Sequence, residues 1–138
     1  MPETRHARVR ITRRIEWMDT DAAGIYHWTC VFRLAEAAEA ALHTALGIAG
    51  LTFGATPRMA ISAEFVRPLR FNDEVEVELA VEDVGRTSLR YRLTIDGPEG
   101  EAALGSITVC FVDRETWRPA PWPDEVRHAL QTGGALSV

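Results

Sequence analysis

The stretch TCVFRLAEAAEAALHTAL, residues 29–46, decides the fold. Val31, Leu34, Ala35, Ala38, Leu42, Ala45 and Leu46 recur at helical spacing, while Arg33, Glu36, Glu39 and His43 fall mainly on other faces. Gly47 follows as a natural stop. The spacing predicts one long helix over 29–46. Its apolar face is rich in alanine, which lets a sheet come close.

Everything around the helix reads as strand. Upstream, residues 7–16 alternate Val9, Ile11 and Ile15 with arginines and threonine. Downstream, residues 57–66 put Met59, Ile61, Ala63 and Phe65 on one side, and 67–73 carry turn residues. Residues 74–82 set Val75, Val77, Leu79 and Val81 against glutamates, and 88–96 set Leu89, Tyr91, Leu93 and Ile95 against Arg90, Arg92 and Thr94. These two strands form a hairpin through Val84-Gly85-Arg86. Their apolar sets share a face only if paired residue numbers have an even sum, which requires an odd-length loop. The same register is expected to bring glutamates opposite arginines on a solvated outer face. Residues 96–100 make a turn, and 102–113 are a nearly all-apolar strand covered on both faces. Pro119, Pro121 and Pro123 mark an extended tail, in which Asp124 caps a short helix ending near Gln131. The expectation is α+β: a five-stranded antiparallel sheet curved around one long central helix, as a single domain over 1–138 with a tail from about 114. Such a sheet leaves open edges, so dimerisation is expected.

The chain has 138 residues, enough to bury a core without staples. The net charge of -5 argues against nucleic-acid binding, and all 15 basic residues are arginine, the better residue for forked contacts to phosphate. No apolar run is long enough to cross a bilayer. The basic N-terminus, 1–14, has no hydrophobic region after it, so a cytoplasmic location is expected. Cys30 and Cys110 read as reduced thiols without zinc-site spacing.

Between the first strand and the helix lies WMDTDAAGIYHW, residues 17–28, with two aspartates, a histidine and several aromatics. Taken singly they are ordinary: Asp19 holds turn amides, His27 caps or packs, and Trp17, Tyr26 and Trp28 are core. Asp21 is harder to place that way. Gly24 lets the chain turn sharply after it, and free backbone amides with partial positive charge follow at the helix start. A carboxylate beside such donors is the minimum machinery of acyl transfer. Two further readings compete for the cluster. Asp19, Asp21 and His27 offer three hard ligands to a divalent metal, and Cys30 beside His27 and Asp21 permits a thiol triad, although a buried helix cysteine is usually inert. A metal is not expected.

Asp19-Thr20-Asp21-Ala22-Ala23-Gly24-Ile25-Tyr26-His27-Trp28, followed by a helix with Phe32 and Glu36, resembles the signature of the 4-hydroxybenzoyl-CoA thioesterase family, a branch of the hotdog-fold acyl-CoA thioesterases. Phe65-Val66-Arg67-Pro68-Leu69-Arg70-Phe71-Asn72-Asp73 resembles that family's strand, Pro-Leu, turn and Asp element, and Val84-Gly85-Arg86-Thr87-Ser88 its next hairpin turn. The resemblance implies a hotdog fold and hydrolysis of an acyl-CoA to acid and coenzyme A. It implies Asp21 as nucleophile or general base, the Trp28 backbone N–H as the carbonyl-polarising donor, and Gly24 as the turn that sets them. His27 and Tyr26 are implied at the substrate, and Arg86, Thr87 and Ser88 at the nucleotide end of coenzyme A. It implies no cofactor beyond the coenzyme A of the substrate, no nucleic-acid or membrane partner, and a homodimer or homotetramer with the site at the subunit interface. Where many relatives carry Asn near the helix start, this chain reads Trp28-Thr29-Cys30-Val31. Two alternatives remain open: a dehydratase or hydratase on acyl thioesters, for which His43 is the only histidine of the long helix, more than four turns beyond Asp21, and a non-catalytic acyl-CoA binding module.

Overall fold

The computed structural model describes residues 5–138; the reading of the N-terminus falls in part on residues 1–4, outside the described residues. The elements in chain order are β1 (Arg8–Arg14), α1 (Cys30–Leu46), α2 (Ala49–Thr52), β2 (Arg58–Phe65), β3 (Glu74–Val84), β4 (Ser88–Gly97), β5 (Gly100–Cys110), α3 (Asp124–Thr132) and β6 (Ala135–Leu136). The sheet order is β2-β5-β4-β3-β1-β6. Five strands pair antiparallel as expected. The sheet nevertheless has six strands, because β6 adds to β1 in parallel through Arg8↔Ala135 and Val9↔Leu136. Two residues after Gly133-Gly134 are too short to show alternation, which is why sequence patterning misses them.

α1 buries Val31, Leu34, Ala35, Ala38 and Leu42 against the sheet. The opposing layer includes Val9, Ile11, Val77, Leu79, Leu89, Tyr91, Leu93 and Ile95, all of them buried. Burial on that scale is worth about 1.5–3 kcal/mol per large side chain. α1 lies closest to β1 and β3. The helix is therefore off-centre, and the β2 side of the sheet is left bare. Every residue of β2 is exposed or half-buried, with Met59, Ile61 and Phe65 between 43 and 64 % exposed.

β2 itself sits unusually close to β5. A Cβ at Gly105 would collide with the Ser62 carbonyl oxygen, so only glycine fits there. The final strand ends earlier than expected, at Cys110, and Val112 makes an isolated bridge to Pro119 instead.

The β3–β4 hairpin has the expected face but reaches it differently. Val77↔Ile95, Leu79↔Leu93 and Val81↔Tyr91 have even sums, whereas Val84↔Leu89 next to the turn has an odd one. A bulge between Val81 and Asp83 supplies the extra residue that restores the register. The outer charges also pair differently. Glu82 meets Arg90 at 2.8 Å, but Glu76 faces Asp96 and Glu78 faces Thr94. Arg10 of β1 balances these, at 3.0 Å from Asp96, 3.6 Å from Glu76 and 3.8 Å from Glu78.

Candidate active site

The two aspartates of the loop have opposite environments. Trp17–Asp19 forms a 3-10 turn, in which the Glu16 amide donates to Asp19 Oδ2 at 2.7 Å. Asp19 is buried and takes a forked pair of bonds from Arg33 of α1, at 2.7 and 2.5 Å. Burial pushes its carboxyl up, yet the Arg33 bonds, the Glu16 amide and the Arg33 charge outweigh that and hold it below the ordinary range. Asp19 thus pins the loop to the helix. With its oxygens so occupied it is a poor metal ligand, and no three His, Cys, Asp or Glu among the described residues converge as a metal set.

Asp21 is exposed. It opens a tight turn, with Gly24 N–H donating to its carbonyl at 3.0 Å and its own N–H donating to the Ile25 carbonyl at 2.9 Å. Gly24 holds φ +80°, the left-handed region that a side chain resists. Asp21 Oδ1 accepts from the Ala23 amide at 2.8 Å, while Oδ2 has no partner among the described residues. The turn is fastened below by Ile25 bridging Arg70 and by Tyr26 N–H donating to the Leu69 carbonyl.

The helix start leaves one amide unbonded. Cys30, Val31 and Phe32 donate to the carbonyls of His27, Trp28 and Thr29, and the Thr29 amide donates to His27 Nδ1 at 3.2 Å. The Trp28 amide is left with no acceptor among the described residues. Because Thr29 N–H is a fixed donor, His27 Nδ1 accepts and its proton sits on Nε2. His27 therefore caps α1, and its Nε2–H has no partner among the described residues.

The surrounding surface is aromatic. Trp28 is 57 % exposed and meets Phe32 edge-on at 5.6 Å between centroids. Phe65 and Ile61 of β2 are exposed alongside the bare sheet face. Tyr26 is more deeply placed than a groove residue: it is buried, its hydroxyl donates to the Ala102 carbonyl at 3.2 Å, and its ring rests on Phe65. Cys30 is buried against Asp19, and burial followed by the Asp19 charge pushes its thiol to about 12, which leaves no thiolate for a triad.

Arg86, Thr87 and Ser88 lie at the other end of the sheet. The Asp21 loop stands by the Gly97–Gly100 hairpin, where a Cβ on Gly97 would strike Leu69. The ten residues of β4 separate the two ends by roughly 30 Å at ~3.3 Å per residue. One chain does not bring the two groups together.

Sequence reasoning missed a second buried cluster. Arg58 forks onto Glu39 at 2.7 and 2.9 Å, and Tyr91 meets His43 Nε2 at 2.6 Å, with burial and then the Glu39 charge pushing the Tyr91 hydroxyl well up. His43 Nδ1 meets Thr52 Oγ1 at 2.6 Å. The available signal was two polar residues, Glu39 and His43, spaced i, i+4 on a helix that packs on the sheet.

The model of the thioesterase-like superfamily matches residues 15–130. The chain belongs to the thioesterase-like superfamily. Its hotdog fold recurs in a predicted thioesterase from Bacillus stearothermophilus, at 24% identity and TM-score 0.82 over 90% of this chain and 94% of that one. It recurs also in a thioesterase from Thermus thermophilus complexed with coenzyme A and Zn, at 23% identity and TM-score 0.81 over 89% and 97%. In sequence, a 1,4-dihydroxy-2-naphthoyl-CoA hydrolase of Synechococcus elongatus is 28% identical over 133 residues, 91% of this chain and 96% of that protein.

Proposed function

We propose that this superfamily member is a thioester hydrolase that cleaves a small aryl- or fatty-acyl-CoA to the free acid and coenzyme A. The observation that carries the reading is the pairing, on one loop, of an exposed carboxylate with a free oxygen and an unbonded helix-start amide, Asp21 and Trp28. The thioester carbonyl accepts from Trp28 N–H, where the helix start favours developing negative charge. Asp21 attacks the carbonyl carbon or takes a proton from the attacking water. The tetrahedral species collapses with loss of the coenzyme A thiolate, a leaving group good enough to need no strong general acid, and on the nucleophilic route water then hydrolyses the acyl-Asp21 anhydride to the free acid. Gly24 sets the turn, His27 holds the helix start and offers Nε2–H to the substrate, and Tyr26 backs the acyl wall through Phe65. Arg86, Thr87 and Ser88 hold the nucleotide end. No cofactor, metal, nucleic acid or membrane enters the reaction, and the enzyme works in the cytoplasm. The aromatic groove and the Synechococcus relative both favour an aryl acyl group.

The site is shared between two copies. β2 is an exposed edge with an apolar inner face. Two-fold antiparallel pairing through β2 sets the start of one strand beside the end of the other. It thereby carries the partner's Gly85–Ser88 turn toward Asp21, across the distance that one chain leaves open, and covers Ile61 and Phe65.

The hydratase alternative is weakened because His43 is buried with both ring nitrogens engaged. The test is a thiol-release screen across short, long and aromatic acyl-CoAs. Release from at least one class is the expected result. Enoyl-CoA hydration without thiol release, or tight acyl-CoA binding without turnover, would replace the assignment with one of its two alternatives.

A further inference from the structure

The C-terminal segment grips the Gly85–Ser88 turn by its carbonyls. Arg127 Nη2 of α3 donates to the Gly85 carbonyl at 2.7 Å and reaches the Arg86 carbonyl at 3.4 Å, and Nη1 reaches that of Val84 at 3.4 Å. Trp122 donates its amide to the Arg86 carbonyl at 3.2 Å and its indole Nε1–H to the Ser88 carbonyl at 3.0 Å. The Phe111 amide donates to the Thr87 carbonyl at 2.7 Å. Every carbonyl from Val84 to Ser88 thus meets a donor from α3, Trp122 or Phe111, and the Ser88 carbonyl takes the Gly85 amide as well, at 2.9 Å.

What remains unpaired in the turn is donors. The Arg86 and Thr87 amides have no acceptor among the described residues, and the same holds for the Arg86 guanidinium and the hydroxyls of Thr87 and Ser88. Successive free amides beside a guanidinium make a donor set suited to an anion. That suitability depends on the carbonyls staying paired, since any that came free would repel a phosphate. Arg127 has no ion pair with a carboxylate among the described residues, so its charge is committed to this task. The helix carrying it is anchored by Val126 and Leu130, both fully buried, and Trp122 is stacked on Phe111 at 5.0 Å.

We infer that Arg127, assisted by Trp122, is a positioning residue that pre-forms the Gly85–Ser88 turn as a receptacle for the phosphates of coenzyme A. This rests on the reading of that turn as the nucleotide site. The C-terminal segment then belongs to the substrate-binding apparatus without touching substrate.

The experiment compares wild type with Arg127→Ala, Arg127→Lys and Trp122→Phe, using coenzyme A and pantetheine as calorimetric ligands and acyl-CoA and acyl-pantetheine as substrates. Pantetheine lacks the phosphates. The inference predicts that Arg127→Ala weakens coenzyme A binding and raises KM for acyl-CoA about tenfold, the effect of losing one charge-assisted anchoring contact, with the loss on KM and not on kcat. Pantetheine and acyl-pantetheine values stay put. Arg127→Lys recovers part of the loss, and Trp122→Phe, which keeps an aromatic ring and drops the donor, shifts KM in the same direction. If Arg127→Ala does not fold, the two conservative variants carry the comparison. Equal losses for ligands with and without phosphates, or no loss in a folded variant, would overturn the inference. A wild type that binds coenzyme A better than pantetheine but hydrolyses neither substrate would sink the thioesterase reading and leave this inference standing.

Discussion

Asp19 and Asp21 are two residues apart and chemically unrelated. The first is locked under Arg33, and the second stands in solvent with one oxygen free. Asp19→Asn should cost about 2–3 kcal/mol, because it removes the buried charge of the forked pair and leaves Arg33 only the more exposed Glu16 at 3.2 Å; urea denaturation measures this. Since folding lowers the Asp19 pKa, its contribution is present above the ordinary value of 3.8 and is lost as pH falls below it. At Cys30 a thiol near 12 predicts no alkylation by iodoacetamide in mildly alkaline buffer in the native state, with modification appearing on unfolding. At this scale the sequence showed which residue types gather in the loop. The partner that separates the aspartates, Arg33, comes from the following helix and is visible only in three dimensions.

Among the elements, periodicity recovered α1 and the five antiparallel strands to within a few residues at most ends, because their apolar residues recur at the element's own period, even in β2, whose apolar side this chain leaves exposed. The failures share a cause. The bulge near Glu82 and the two-residue β6 are fixed by pairing partners, and neither changes the local apolar pattern. The closeness of β2 to β5 was equally hidden, although Gly105 within an apolar strand is its trace. Gly105→Ala sets a methyl against the Ser62 carbonyl. It should destabilise the fold by about 1–3 kcal/mol and loosen β2, seen as faster amide exchange along Arg58–Phe65 than along β4.

For the molecule as a whole, the buried cluster joins α1, the sheet and the start of the open edge. Burial, with help from Arg58 and against the Glu39 charge, lowers the His43 pKa from its ordinary 6.5. The unfolded chain therefore takes up a proton that the folded one refuses, and stability should fall as pH drops below about 6.5. His43→Gln should flatten the dependence of melting temperature on pH across that range. The two-copy site makes its own prediction. On the proposed sharing of the site, neither Asp21→Asn nor Arg86→Glu homodimers would hold a complete site, but a mixed dimer would hold one. An equal mixture of subunits reassembled together should recover about a quarter of wild-type activity at low substrate, since half the dimers carry one intact site of two. A mixture no better than the average of its parents would place the whole site within one chain.

The most direct test of the account is the rate of thiol release by Asp21→Asn on the best acyl-CoA. The account predicts a folded protein with an unchanged melting profile that has lost activity by about 10³-fold or more, the scale of removing a nucleophile or base. A folded Asp21→Asn variant as active as wild type would contradict it.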